Sequence, residues 1–505
     1  MVYKKRRRLP AGRRKHDPRV IIAAAAAALI LCAALALIIF KPFSGRNTPA
    51  PSPSPSPAQT SGIASETPAV TDAPQPSPAV HAFERTTYDV NMFVDPDTDK
   101  VEGSMTMHYV NRSSDELYCI YAYAYANAVS PSCFRVSRVS INNREAYFET
   151  QNNGMILVFP VLDGIEPGGA ATVYFEFECT LPKVNGRLGH GTNAVMLGNF
   201  LPIAAVYEDG EWQLRDYVSY GDSFYSDTAD YRVVITAHTD YTVAATGVMK
   251  EKQTSAKGRY YEAQYFEADN VRSFAAALIK NADVYTCDVN GVKVTAYSFS
   301  SSAWAKPVAM IAADAIRFYS RFIAPYPYET FSIVESDIGG GMEYPQLVMI
   351  EKESFRSPTM SIGTQIIAHE TAHQWWYGVV GSDEFNEPWV DEAITEFCAY
   401  LFVRSECGVD FYETLWNGYV TPRLNDEGVT AVSTPLDGFE DGKGYFGSVY
   451  AKGAIMYRKA YEQLGSDKFF ELLSKYFDEH KFSVAKGDDL VKLFADAGIT
   501  LEKDK

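Results

Sequence analysis

Two histidines, His369 and His373, flank Glu370 in the run HETAH, and a second glutamate, Glu392, follows after eighteen intervening residues. The segment Ile366 to Tyr377 reads as a buried helix, because apolar residues occupy most of its faces and neither Pro nor Gly interrupts it. Positions i and i+4 of a helix share a face, so the two imidazoles point the same way, about one turn apart. Such a pair can hold one Zn²⁺ and leave room for a third protein ligand and a water. Glu370, between them, is set to take a proton from that water.

A catalytic zinc needs three protein ligands and an open position. The third ligand is expected from a second helix that begins near Pro388, a residue suited to a first helical turn. Glu392 on that helix completes a His₂Glu set; Glu387 and Asp391 compete for the role by position. Glu396 falls one turn after Glu392 on the same face, where it can receive the free N–H of a ligand histidine.

The surrounding elements divide the chain. Over residues 83–285 the pattern is β-rich. Residues 86–94 and 100–110 flank the turn signal Asp95-Pro96-Asp97-Thr98-Asp99, and further strands are expected at 156–161, 171–179, 231–237 and 259–266. Short strands punctuated by Gly, Pro, Asn and Asp suggest a β-sandwich or saddle. Over residues 286–505 the texture turns helical. A strand at 291–298 precedes a helix from Pro307 to Ile323, and helical patterns follow at 363–377, 389–404, 448–464, 466–477 and 488–496. The expectation is a multidomain α+β chain, with a mainly helical second domain carrying a small sheet.

Upstream, residues 1–19 carry nine Lys or Arg and one acid, and Val20 to Phe40 is uncharged and apolar. Its 21 residues suit one transmembrane helix. The basic flank keeps the N-terminus cytoplasmic, and the rest is exported. No small-residue cleavage site adjoins the apolar run, which favours an anchor over a cleaved signal peptide. Residues 41–82, rich in Pro, Ser and Thr, form an extended tether. From residue 41 onward there are 37 basic against 62 acidic residues. That balance argues against nucleic-acid binding. The lipid bilayer is the partner expected for residues 20–40. Six cysteines outside the anchor show no C-x-x-C spacing and imply no redox role.

Read together, HETAHQWW, Glu392 within WVDEA, the run Gly339-Gly340-Gly341-Met342-Glu343-Tyr344 and the run Val449-Tyr450-Ala451-Lys452-Gly453-Ala454 resemble the zinc aminopeptidase family of aminopeptidase N. The likeness covers roughly residues 83 to 500. It implies a thermolysin-like catalytic domain, one Zn²⁺ on His369, His373 and Glu392, and Glu370 as general base. It also implies Tyr450 as donor to the oxyanion and Glu343 as binder of the substrate's free α-ammonium. The backbone around Gly340, Gly341 and Met342 would run beside the substrate, a peptide with a free N-terminus, outside the cell.

Two departures bear on these expectations. Tyr344 stands where the family has Asn, which bears on the shape of the first specificity pocket. Ala393 stands where the family has Gly, which changes helix packing without removing the metal. A family glutamine from the N-terminal domain has no matching motif, and none is assigned. A zinc endopeptidase on the same fold and a non-catalytic surface binding module are the alternative readings.

Overall fold

The computed structural model describes residues 85–505; the basic stretch 1–19, the anchor expected at 20–40 and the whole tether at 41–82 lie outside them. Among the described residues, no helix is long and apolar enough to cross a membrane.

The β-rich half is built on an eight-stranded sheet. From edge to edge it runs through Val248–Thr254, Tyr261–Val271, Ala229–His238, Thr87–Asp95, Lys100–Val110, Ala170–Thr180, Phe134–Ile141 and Arg144–Glu145. Thr87–Asp95 runs parallel to Ala229–His238 and antiparallel to Lys100–Val110. Alternate side chains of Thr87–Asp95 are buried, the period-2 pattern of a strand with one face on a core. Two four-stranded sheets pack with it, one carrying Leu117–Tyr123 and Ile156–Ile165, the other Ala194–Leu197, Tyr241–Ala245 and Ala276–Lys280. Tyr88, Val90, Phe175, Phe177, Phe200 and Tyr231 belong to the apolar cluster between the layers.

The helical half carries a five-stranded sheet of Asp283–Val289, Val292–Ser298, Thr330–Ser336, Leu347–Glu351 and the short edge strand Gly341–Met342. The boundary expected at 285/286 falls inside its first strand, so membership of the sheets changes between Lys280 and Asp283. The following helix, Ser302–Phe322, starts five residues before the expected Pro307. Ser301 caps it by accepting a hydrogen bond from the Ala303 N–H. Its stripe of Val308, Ala309, Ala312, Ile316 and Tyr319 lies in the core, which outweighs the backbone bond that Pro307 forfeits.

Arg272 stitches the halves together. Its buried guanidinium donates to the carbonyls of Tyr377 at 2.6 Å, Ser226 at 2.7 Å, Val379 at 3.3 Å and Ser483 at 2.5 Å. Gly381 leaves the room: a Cβ there would lie 2.0 Å from the guanidinium carbon. The six cysteines among the described residues are free thiols.

Candidate metal centre and its cavity

The helix expected over 363–377 spans Ile362–Ala372 and begins at Ser361, whose hydroxyl accepts a hydrogen bond from the Gly363 N–H. It ends earlier than expected because His373 turns its Nδ1 onto the Trp376 carbonyl at 2.9 Å, and Tyr377 takes a left-handed φ of 111°. The last turn therefore bends back. His373 still faces His369, their Nε2 atoms 3.0 Å apart and each 3.2 Å from Glu392 Oε2. Ligands about 2.0–2.1 Å from a tetrahedral zinc stand roughly 3.3 Å from one another. The three donors converge at nearly that spacing, so the set fits one zinc ion.

Glu392 sits in the first turn of the helix Trp389–Cys407, which starts directly after Pro388. The competing acids do not join the set. Asp391 accepts the Glu392 N–H at 2.8 Å, and Glu387 accepts the Gly487 N–H at 2.9 Å. Burial opposes ionisation of Glu392, but the two imidazoles beside it prevail and hold its carboxyl well below the usual range. Glu396 Oε2 lies 2.8 Å from His369 Nδ1 and accepts a hydrogen bond from Gln365 Nε2 at 2.8 Å. Each imidazole thus has an oxygen beside its outer nitrogen, Glu396 at His369 and the Trp376 carbonyl at His373, and its inner nitrogen toward the centre.

Glu370 is buried beside this set. Burial raises its carboxyl to about 7 against the opposing pull of His369 and His373. Its Oε2 has no hydrogen-bond partner among the described residues. Tyr450 lies in a π-helical turn, Phe446–Lys452, at the entrance to the helix Gly453–Leu464, where one continuous helix was expected over 448–464. Its hydroxyl donates to Glu392 Oε1, and its ring stacks on His369 with centroids 5.7 Å apart. Ala393 fits because Gly453 faces it: a Cβ on Gly453 would come within 2.4 Å of the Ala393 Cβ.

Glu343 is buried on the other side. Donor atoms of Glu343, Glu370 and His373 lie within 4.8 Å of one another. Burial, with Asp222 adding to it, raises the Glu343 carboxyl well above the usual range. Gly340 has a φ of 77° and donates its N–H to Glu351 Oε2 at 2.9 Å, while Gly341 backs onto Glu370. Met342 and Tyr344 behave differently. Both side chains turn into an apolar cluster of the fold, and neither lines the cavity that Glu343 enters. Tyr344 reaches the β-rich half, where its hydroxyl donates to Asn199 Oδ1 at 2.7 Å. Gly198 makes that approach possible, since a Cβ there would lie 2.1 Å from the hydroxyl. The departure from Asn at 344 therefore anchors the loop from behind instead of lining the pocket.

The cavity, of about 640 Å³, is lined by His369, Glu370, His373, Glu392, Glu396, Tyr450, Glu343, Gly340 and Gly341, and by neither Met342 nor Tyr344. Its far wall comes from residues that no motif marked. Arg187 and Asp222 form an ion pair at 2.7 Å, and Tyr220 and Tyr445 close the side. Asp222 lies in an irregular stretch of the β-rich half, and only the folded contact brings it to the site.

Residues 309–503 match the peptidase family M1 domain. Aminopeptidase N of Lactobacillus helveticus is 29% identical over 196 residues, 36% of this chain and 23% of that protein. Endoplasmic reticulum aminopeptidase 1 of Homo sapiens is 25% identical over 218 residues, 40% of this chain and 23% of that protein. The chain thus spans about a quarter of the length of the curated relatives it matches. In three dimensions it is similar to an M1 zinc metallopeptidase from Deinococcus radiodurans, with a TM-score of 0.62 at 15% identity over 83% of this chain and 91% of the other. That coverage reaches well beyond residues 309–503 into the β-rich half, so the likeness of fold is not confined to the segment that matches the family.

Proposed function

We propose that the chain, whose residues 309–503 match the peptidase family M1 domain, is a zinc-dependent aminopeptidase acting on peptides with a free N-terminus. The observation that carries this reading is the proximity of Glu343 to Glu370 and His373, their donor atoms within 4.8 Å in one buried cavity. A carboxylate there can accept hydrogen bonds from a substrate ammonium one residue away from the bond to be cut.

Zinc, when held by His369, His373 and Glu392, supplies an acidified water and an electrophile for the peptide carbonyl. Glu370 takes a proton at its carboxylate and returns it to the leaving amine nitrogen; a group titrating at about 7 can do both near neutral pH. Tyr450 swings its hydroxyl from Glu392 to the developing oxyanion of the substrate. Glu343 binds the α-ammonium, and Asp222 adds negative potential to that end of the cavity. Glu396 holds the His369 ring. The backbone of Gly340 and Gly341 borders the substrate, where missing side chains allow close approach.

The basic stretch 1–19, the apolar run 20–40 and the Pro/Ser tether support a single-pass anchor, with the β-rich domain and the thermolysin-like zinc peptidase domain outside the cell. Membrane fractionation of the full chain tests this part.

The activity test compares an aminoacyl p-nitroanilide with its N-acetyl counterpart, with and without a chelator. The free-amine substrate should be cleaved preferentially, and chelation should stop its cleavage. Equal cleavage of both substrates points to an endopeptidase, and no cleavage with stoichiometric zinc points to a binding module.

A further inference from the structure

We infer that Gln374 is the positioning residue that sets the distance between the amine-binding carboxylate and the zinc ligands, an inference that rests on the aminopeptidase reading. Gln374 directly follows His373 and is fully buried. Its side-chain amide faces the loop that carries Glu343. Oε1 accepts the Gln346 N–H at 2.7 Å, and Nε2 donates to the Tyr344 carbonyl at 3.2 Å and, more weakly, to the Glu343 carbonyl at 3.5 Å.

Those contacts meet a segment with few of its own. The edge strand Gly341–Met342 pairs with Leu347–Glu351, but residues 343–346 between them have no strand partner. Gln346 takes a left-handed φ of 62°, uncommon for a side-chain-bearing residue and held only where surroundings enforce it. Its remaining bonds hold it to the strand Thr330–Ser336: its carbonyl accepts the Ser332 N–H at 2.8 Å, and its Oε1 accepts the Thr330 hydroxyl at 3.1 Å. Gln374 is the link that ties this loop to the segment bearing the metal ligands. A planar amide reads a backbone N–H and a carbonyl two residues apart, as a neighbouring strand would. Glu343 is thereby registered against His373 by one side chain. Gly378 packs closely behind Gln374, for a Cβ on Gly378 would lie 3.0 Å from the Gln374 carbonyl oxygen.

The consequence is selective. Releasing the loop moves Glu343 relative to the zinc ligands without touching a ligand, the base or Tyr450. Substrates that use the ammonium site should suffer, and substrates that lack an ammonium should not.

The experiment uses Gln374→Met, close in volume, and Gln374→Asn, which keeps the amide but retracts it. Each is compared with the wild type and with Glu343→Gln for kcat and KM on the aminoacyl p-nitroanilide and its N-acetyl counterpart, beside zinc content and melting temperature. The expected result is a fall of at least about tenfold in the free-amine to N-acetyl ratio of kcat/KM, carried mainly by KM, with zinc retained. Gln374→Asn carries the test if Gln374→Met does not fold. A folded, zinc-loaded variant whose ratio stays within about twofold of wild type overturns the inference. Equal losses on both substrates overturn it too, since that is the mark of a merely structural residue. A wild type that does not discriminate between the substrates removes the aminopeptidase reading and this inference together.

Discussion

The carboxylate of Glu370 rests against the bare α-carbon of Gly341. A methyl group at that α-carbon would lie 2.1 Å from Oε1 and 2.3 Å from Cδ, closer than any atom can come. Gly341 belongs to the edge strand and Glu370 to the zinc helix, so the two must approach for the proposed base to reach the centre. Gly341→Ala should therefore push Glu370 out of line and lower kcat by about 10²-fold, the loss expected for a misplacement near 1 Å. Zinc content should not change. Full activity in that variant would mean that Glu370 does not act from the position seen here.

Glu370→Gln removes the proposed proton acceptor and keeps the shape. The proposed zinc set of His369, His373 and Glu392 is untouched, so zinc should remain stoichiometric. Turnover should fall by about 10²–10⁴, the range for a lost general acid–base group. The check is kcat beside metal analysis on the same preparation; substantial residual turnover assigns the proton transfer elsewhere.

Tyr450→Phe keeps the stacked ring on His369 and deletes the hydroxyl that donates to Glu392. If that hydroxyl serves the oxyanion, kcat should drop by about 10²–10³, with little change in KM. Zinc content should hold, because Glu392 keeps both imidazole neighbours. An unchanged kcat would leave the oxyanion to the metal alone.

Periodicity exposed the strands and most helices, because one face of each is buried and apolar. It did not expose the end of the helix Ile362–Ala372. Ala372 to Tyr377 has helix-compatible residues, and the break comes from His373 bonding the Trp376 carbonyl, a local choice that apolar spacing does not encode. The approach of His369 and His373 was legible because i, i+4 geometry fixes it. Tyr344 was misread as a pocket residue because its partner, Asn199, lies 145 positions away and depends on the absence of a side chain at Gly198. Arg187 and Asp222 carried no signal for the same reason: an ion pair between irregular segments has no period. Gln374 belongs to the HETAHQ run, yet its role becomes visible only when the loop it bonds is seen.

Zinc affinity should rise steeply with pH. Burial opposes charge on both imidazoles, yet Glu392 and Glu396 outweigh it at His369, and Glu392 and Glu343 outweigh it at His373, whose pKa reaches about 10. Without metal, both histidines therefore hold a proton through neutral pH, whereas Glu392 is already ionised. Zinc requires the neutral imidazoles and must displace those protons. Each proton displaced makes the dissociation constant fall about tenfold per pH unit, so the two together give up to about a hundredfold. The sign is fixed by the direction of the shifts: protons compete below the raised pKa values, and their competition fades only as pH climbs through them. Titrating chelator-stripped protein with zinc against a competing chelator, at pH values spanning neutrality, reads the slope directly. After correction for the chelator's own protonation, a flat profile would show that the histidines are already neutral and that the acids around them do not hold the protons the geometry implies.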